Sequence, residues 1–125
     1  MVDIDFDIPE DAFEKLVPSV KNYIAYGPKQ YQDETWDLLL MTLNYKGQVL
    51  DIAGAYAAKL FNHDQKVWES ASVDFSKDQL HTIFGIMVPV MDKAELVAYK
   101  SKLKRDVDIQ DVKEITKAGS NWFSY

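Results

Sequence analysis

This 125-residue chain contains no cysteine. Disulfides and thiolate-bound metal are therefore excluded, and a buried apolar core has to hold the fold. The material is sufficient, since 47% of the residues are hydrophobic and 13% aromatic. No internal repeat or linker interrupts the chain, so one domain over residues 1–125 is expected, with residues 1–32 forming an N-terminal extension that carries a kinked helix. The absence of cysteine suits a reducing compartment. Met1-Val2-Asp3-Ile4-Asp5 has no basic region leading into an apolar run, and no stretch approaches the ~18 apolar residues of a membrane span. The expectation is a cytoplasmic protein with no membrane span. A net charge of −6 argues against nucleic acid as a partner, because phosphate contacts need a clustered basic surface. The one basic run, Lys100 to Arg105, is flanked by Asp92, Glu95, Asp106 and Asp108 and reads as a solvated face.

The chain opens with Val2, Ile4, Phe6 and Ile8 alternating with Asp3, Asp5 and Asp7, the period of a half-exposed strand. Pro9 then opens a helical pattern through Phe13, Leu16, Val17, Val20 and Ile24, kinked at Pro18 and stopped by Gly27-Pro28. Asp33 can cap a second helix, with Trp36, Leu39, Leu40 and Leu43 on one face and Lys46-Gly47 at its end. Val49 to Phe61 reads as a strand, with a continued helix as the alternative. Asn62-His63-Asp64-Gln65 is a turn signal, and Lys66-Val67-Trp68-Glu69 reads as the returning strand. Ser76-Lys77-Asp78-Gln79 fits a capping box with Phe75 and Leu80 as its staple, which predicts a helix through Leu80, Ile83, Phe84 and Met87. Residues 94–103 fit either a strand or a helix capped by Asp92 with Glu95 three residues on. Ile109, Val112 and Ile115 predict a last short helix closed by Gly119. The fold class is α+β, a small antiparallel sheet packed by helices, with a mostly α fold as the alternative.

Chemistry-bearing patterns are few. Neither His63 nor His81 has a histidine or carboxylate at the i+3 or i+4 spacing of zinc sites. Asp3, Asp5, Asp7 and Glu14 match four ligand positions of an EF-hand loop, but Ile8 stands where glycine is needed and Pro9 follows it. A solvated acidic strand face accounts better for these aspartates. There is no G-x-S-x-G elbow and no glycine-rich phosphate loop. No metal, cofactor or catalytic residue is expected, and no carboxylate pair is singled out for acid–base work. Trp36, Trp68 and Trp122 remain, as core residues or as an exposed aromatic platform.

Residues 35–88 resemble the amino-terminal half of profilin. The resemblance rests on Thr35-Trp36, the small-residue segment Ala53 to Leu60, the turn at Asn62-His63-Asp64, Val67-Trp68, the loop Ser70 to Phe75 and the expected helix from Ser76. Gln65 stands where the family has glycine, and Leu39 where it has an aromatic residue. The resemblance implies a profilin-like fold and a non-enzymatic binding protein. Its partners would be proline-rich peptides on Trp36, Trp68, Trp122 and Tyr125, with actin or an actin-like protein as a further partner. The alternative is a small acidic inhibitor or immunity-type protein, phage- or plasmid-borne, directed at a basic toxin or nuclease.

Overall fold

A computed structural model describes residues 3–83 and 85–118. The chain is α+β and divides into two compact units, Met1–Phe61 with Val67–Val73, and Asn62–Lys66 with Asp74–Tyr125. Rather than standing apart as an extension, residues 4–32 supply two strands and a helix of the first unit.

In the first unit, β1 (Ile4–Ile8) leads through a 3-10 turn into α1 (Phe13–Val20), which contains Pro18. A second 3-10 turn delivers the chain to β2 (Ile24–Gln32), β3 (Trp36–Tyr45), β4 (Gln48–Gly54), β5 (Lys59–Asn62) and β6 (Val67–Ser70). The sheet runs β1-β4-β3-β5-β6, with β2 also on β3. It is mixed rather than purely antiparallel, because β1 pairs parallel to β4 while β3 runs antiparallel to β2, β4 and β5.

The alternating start is the strand expected of it, and β5 and β6 are neighbours joined by the turn read from sequence. Asn62 Oδ1 accepts from the amides of Asp64 (3.0 Å) and Gln65 (3.1 Å), the asparagine turn chemistry that marks such loops. The predicted helix from Asp33 to Lys46 is instead β3. Leu38-Leu39-Leu40-Met41 is a continuous apolar run in a central strand paired on both edges, and such a run also satisfies helical spacing. Asp33 does cap, but it caps a turn: its Oδ1 accepts from the amides of Thr35 and Trp36, both at 2.7 Å. The first predicted helix stops early, at Val20, and Ile24 already belongs to a strand.

The core lies between α1 and one face of the sheet. Phe13, Met41, Leu43 and Ile52 are buried, with Leu16, Val17, Val20, Ile24, Leu39 and Leu50 packed around them. Met41 is 0% exposed. Met41→Ala should therefore cost about 2–5 kcal/mol. Leu80→Ala, at a position 63% exposed, should fall within about 0.5 kcal/mol of wild type. Denaturant unfolding of both variants checks the pair.

In the second unit Ser76 does not open a helix. Asp74 takes the cap, accepting from the Ser76 amide at 3.0 Å and from its hydroxyl. The single 3-10 turn Phe75–Lys77 then gives way to a hairpin of β7 (Gln79–Ile83) and β8 (Ile86–Val90). Ile83, Ile86, Val88 and Val90 are β-branched and favour extended backbone. Gly85, at φ +79°, lies in the connection, and Phe84, expected on the helix, lies outside the described residues. Next comes α2 (Lys93–Leu103), capped by Asp92 through the Ala94 amide at 3.2 Å, which settles the strand-or-helix alternative for 94–103. Finally α3 (Asp106–Ala118) contains the predicted apolar stripe with Ile115 buried; Gly119 lies outside the described residues. Among the described residues no helix is long and apolar enough to cross a membrane.

Asp108 ties α2 to α3. It is 0% exposed and sits in the first turn of α3, where a carboxylate is favoured by the helix dipole. Its oxygens accept from Arg105 Nε (2.6 Å), from the second guanidinium nitrogen (3.1 Å) and from the Arg105 amide (3.3 Å). Lys100 Nζ lies 3.8 Å away and is also bound to Asp111 at 2.8 Å. Burial pushes the Asp108 carboxyl up, but the Arg105 hydrogen bonds and charge, with Lys100, outweigh it and hold the group below its ordinary value. A carboxyl lowered in the folded state contributes stability that is present above the unfolded value, about 3.9, and is lost as pH falls through the folded value. Wild type should thus lose more stability than Asp108→Asn on going from pH 6 to pH 3, measured by thermal unfolding at each pH.

Candidate functional site

The strand register places four side chains in one line across the first unit's sheet. Asp5 of β1 is opposite Asp51 of β4, Asp51 is opposite Thr42 of β3, and Thr42 is opposite Tyr26 of β2. Since Met41, Leu43 and Ile52 face α1, their alternating neighbours Thr42 and Asp51 belong to the other face. The next line on that face is Asp7, Ala53, Leu40 and Lys29, and Tyr31 opposite Leu38 lies one line further. Strands about 4.8 Å apart give this surface an acidic edge at β1 and β4, a small and apolar middle, and an aromatic, cationic edge at β2.

Asp51 is half-buried, and Thr42 Oγ1 donates to its Oδ1 at 2.7 Å. Asp5 and Asp7 are exposed. At the far edge the Tyr26 and Tyr31 rings meet edge to face at 6.2 Å, and Lys29 Nζ lies 4.5 Å from the centre of the Tyr26 ring. The Tyr31 hydroxyl donates to Asp33 Oδ2 at 2.8 Å, and this bond, with desolvation and the Asp33 charge, raises its pKa.

The two acidic strands are fastened at their carboxyl ends. The Ala55 amide donates to the Ile8 carbonyl at 2.8 Å. Glu10, just past β1, accepts from the amides of Tyr56 (3.0 and 3.2 Å) and Ala57 (2.8 Å), just past β4. Burial pushes the Glu10 carboxyl up, while the Ala57 and Tyr56 amides outweigh it and hold it below the ordinary glutamate value. Gly54 makes room for this arrangement, since a Cβ there would lie 2.8 Å from Glu10 Cγ and Oε2. Glu10→Ala should cost about 2 kcal/mol, the scale of hydrogen bonds to a charged acceptor. Gly54→Ala should displace the same carboxylate. In a double-mutant cycle by urea unfolding, Gly54→Ala should then cost far less in the Glu10→Ala background than alone.

The tryptophans and the terminal tyrosine assigned to peptide binding are not at this site's centre. Trp36 is half-buried at the start of β3, opposite Leu60 of β5. Trp68, on β6, is 38% exposed and packs edge to face on Phe61 at 5.5 Å. Trp122 and Tyr125 lie outside the described residues. His63 is in the β5–β6 turn and His81 in β7. Among the described residues no three His, Cys, Asp or Glu side chains are gathered into a finished metal cage. Sequence reading passed over Asp51, although an acid interrupting the apolar run Val49-Leu50-Asp51-Ile52 was a visible signal for it.

The architecture is thus that of an α+β domain whose sheet carries acidic residues on two adjacent parallel strands. No protein-family model and no curated protein matches the chain. Among solved structures, it is similar to a Thermotoga maritima protein described as a "putative nucleotidyltransferase". The TM-score is 0.66 with 20% sequence identity, over 94% of this chain and 71% of that one. The chain therefore shares the fold of that protein. This corrects the profilin-like reading, together with its actin, cytoskeletal and polyproline partners and the rival inhibitor reading. The expectation of a non-enzymatic binding protein is corrected with them, since that neighbour is described as an enzyme. Of the features that carried the resemblance to profilin, the turn and the two tryptophans are ones that many sheets can supply, and the helix expected from Ser76 is a 3-10 turn followed by a strand.

Proposed function

We propose that this chain is a nucleotidyl-transferring enzyme whose reactive centre lies at Asp5 and Asp51. One observation carries the reading: in a fold shared with a protein described as a nucleotidyltransferase, the parallel register sets these two carboxylates side by side on the face away from α1. The reaction forms a bond from an acceptor oxygen to the α-phosphorus of a nucleoside triphosphate. It breaks the bond to pyrophosphate, which leaves with the electron pair, while the proton of the acceptor hydroxyl passes to solvent.

The donors fit a hard divalent cation of the magnesium type. Such ions take oxygen ligands and are commonly held by one or two carboxylates plus substrate phosphates rather than by a complete protein cage. When bound, the ion would neutralise the charge that develops on the phosphoryl oxygens. Asp5 and Asp51 would hold it. The Thr42 hydroxyl fixes the orientation of Asp51, and Glu10 fixes the two strands against each other, so the carboxylates are placed before substrate arrives.

Magnesium-dependent binding of ATP, GTP, CTP and UTP, together with pyrophosphate release in the presence of RNA, protein and small hydroxyl acceptors, tests the reading. Asp5→Asn and Asp51→Asn should each lower turnover about 100-fold or more while the unfolding midpoint stays near wild type, since metal stabilisation of a transition state amounts to several kcal/mol. Full turnover in Asp51→Asn, or no magnesium-dependent nucleotide binding by the wild type, would exclude it.

A further inference from the structure

We propose that Lys29, held over the ring of Tyr26, is the phosphate-binding side chain of this site and takes the distal phosphates of a nucleoside polyphosphate. The inference rests on the nucleotidyl-transfer reading and deepens it.

Lys29 and Tyr26 are three residues apart. In a regular strand they would face opposite sides of the sheet. Here they share a face, because β2 is irregular between them: Tyr26 is opposite Thr42 and Lys29 is opposite Leu40, so three steps on β2 match two on β3. The extra residue is accommodated at Gly27, which has φ +69° and whose Cβ, if it had one, would lie 2.3 Å from the Leu40 carbonyl oxygen. Such bulges locally give up ladder hydrogen bonds and are over-represented beside active sites, where they re-aim a side chain. This one brings a cation onto the carboxylate-bearing face.

The aim is specific. The ammonium of Lys29 is stationed 4.5 Å from the centre of the Tyr26 ring, and Tyr31, two lines further along, meets that ring edge to face at 6.2 Å. A cation resting on an aromatic face gives up part of its hydration in advance and is restricted in position. Tyr26 is two strands from Asp51, a separation of roughly 10 Å. A single phosphate cannot bridge a cation at the carboxylates and an ammonium at that distance, whereas a diphosphate or triphosphate can. Between them lie Thr42, Ala53 and Leu40, none of which carries a charge that would repel the chain. Charge therefore runs in the order a polyphosphate needs: carboxylates for the metal at one edge and a fixed cation at the other.

Calorimetric titration of the full chain with magnesium and, in turn, ATP, ADP, AMP and adenosine tests the assignment. Lys29 is exposed, so its replacement should leave the fold intact. Lys29→Gln should weaken ATP binding about tenfold or more, with a smaller effect on ADP and none on AMP or adenosine. Lys29→Arg and Tyr26→Phe, which keep the cation and the ring, should stay close to wild type, while Tyr26→Leu should follow Lys29→Gln. If ATP binding requires magnesium and Asp51 but Lys29→Gln leaves it unchanged, or weakens all four ligands equally, the assignment to Lys29 falls and the reaction reading stands. If the wild type binds no nucleotide with magnesium, both fall.

Discussion

The parallel pairing of β1 with β4 is the constraint on which the acidic edge depends. Ile4 to Ile8 and Leu50 to Gly54 are aligned residue for residue, and that alignment alone makes neighbours of Asp5 and Asp51. A parallel ladder cannot be closed by a tight turn, so its register has to be set by the elements between the strands and by contacts at their ends. The intervening chain is α1, β2 and β3, and β3 fixes β4 from its other edge. At the open end Glu10 reaches over the carboxyl terminus of β4 and takes two amides that would otherwise need water. A slip of one residue in β1 would turn every aspartate toward α1 and every isoleucine away from it. The apolar face of the sheet therefore holds the polar face in place.

The division of labour between the two faces follows from β3. Its run of leucines and methionine is apolar on both sides, but the two sides meet different neighbours. Leu39, Met41 and Leu43 complete the core under α1. Thr42, flanked by Leu40 and Asn44, faces the other way and is the residue through which the central strand touches the acidic edge. One hydroxyl in an apolar strand thus connects the most buried part of the first unit to the orientation of a carboxylate.

Sequence reading recovered what is decided locally. The alternation at Ile4–Ile8, the Asn62 turn with the strand returning from it and the stripe through Ile109, Val112 and Ile115 all depend on residues within a few positions of one another, whereas the single strand expected over Val49 to Phe61 is two, β4 and β5, and Asp92 offered a cap to only one of two alternatives. It failed where a local pattern had two solutions. The leucine run at 38–41 fits a helix face and a central strand equally, and tertiary pairing chose the strand. The capping box at Ser76 was a genuine hydrogen-bonding signal, but Asp74 took its part and the β-branched residues after it set the outcome. The candidate site was half legible. Asp3, Asp5 and Asp7 stood out as a period-two acidic strand and were read as a solvated face. Asp51 lies 46 positions from Asp5 and becomes its neighbour only through a parallel ladder that no short window reveals.

The irregularity in β2 has a consequence for how this surface can change over evolutionary time. Side chains along a strand obey a parity rule, odd positions to one side and even positions to the other, and the segment 26–29 breaks it by one count. The identity of Lys29 or Tyr31 can be altered by substitution, but the side on which they stand depends on the bulge between them and Tyr26. Loss of a single residue there would restore strict parity. Lys29 and Tyr31 would then stay on the face of Tyr26, whereas regular pairing of the full-length segment, without the bulge, would turn both toward α1 and put Gln30 and Gln32 in their place. The electrostatic character of that edge is thus encoded in the bulged backbone at Gly27 as much as in side-chain chemistry, and Gly27, with its positive φ and close approach to the Leu40 carbonyl, should be under tighter restraint than most positions of the strand.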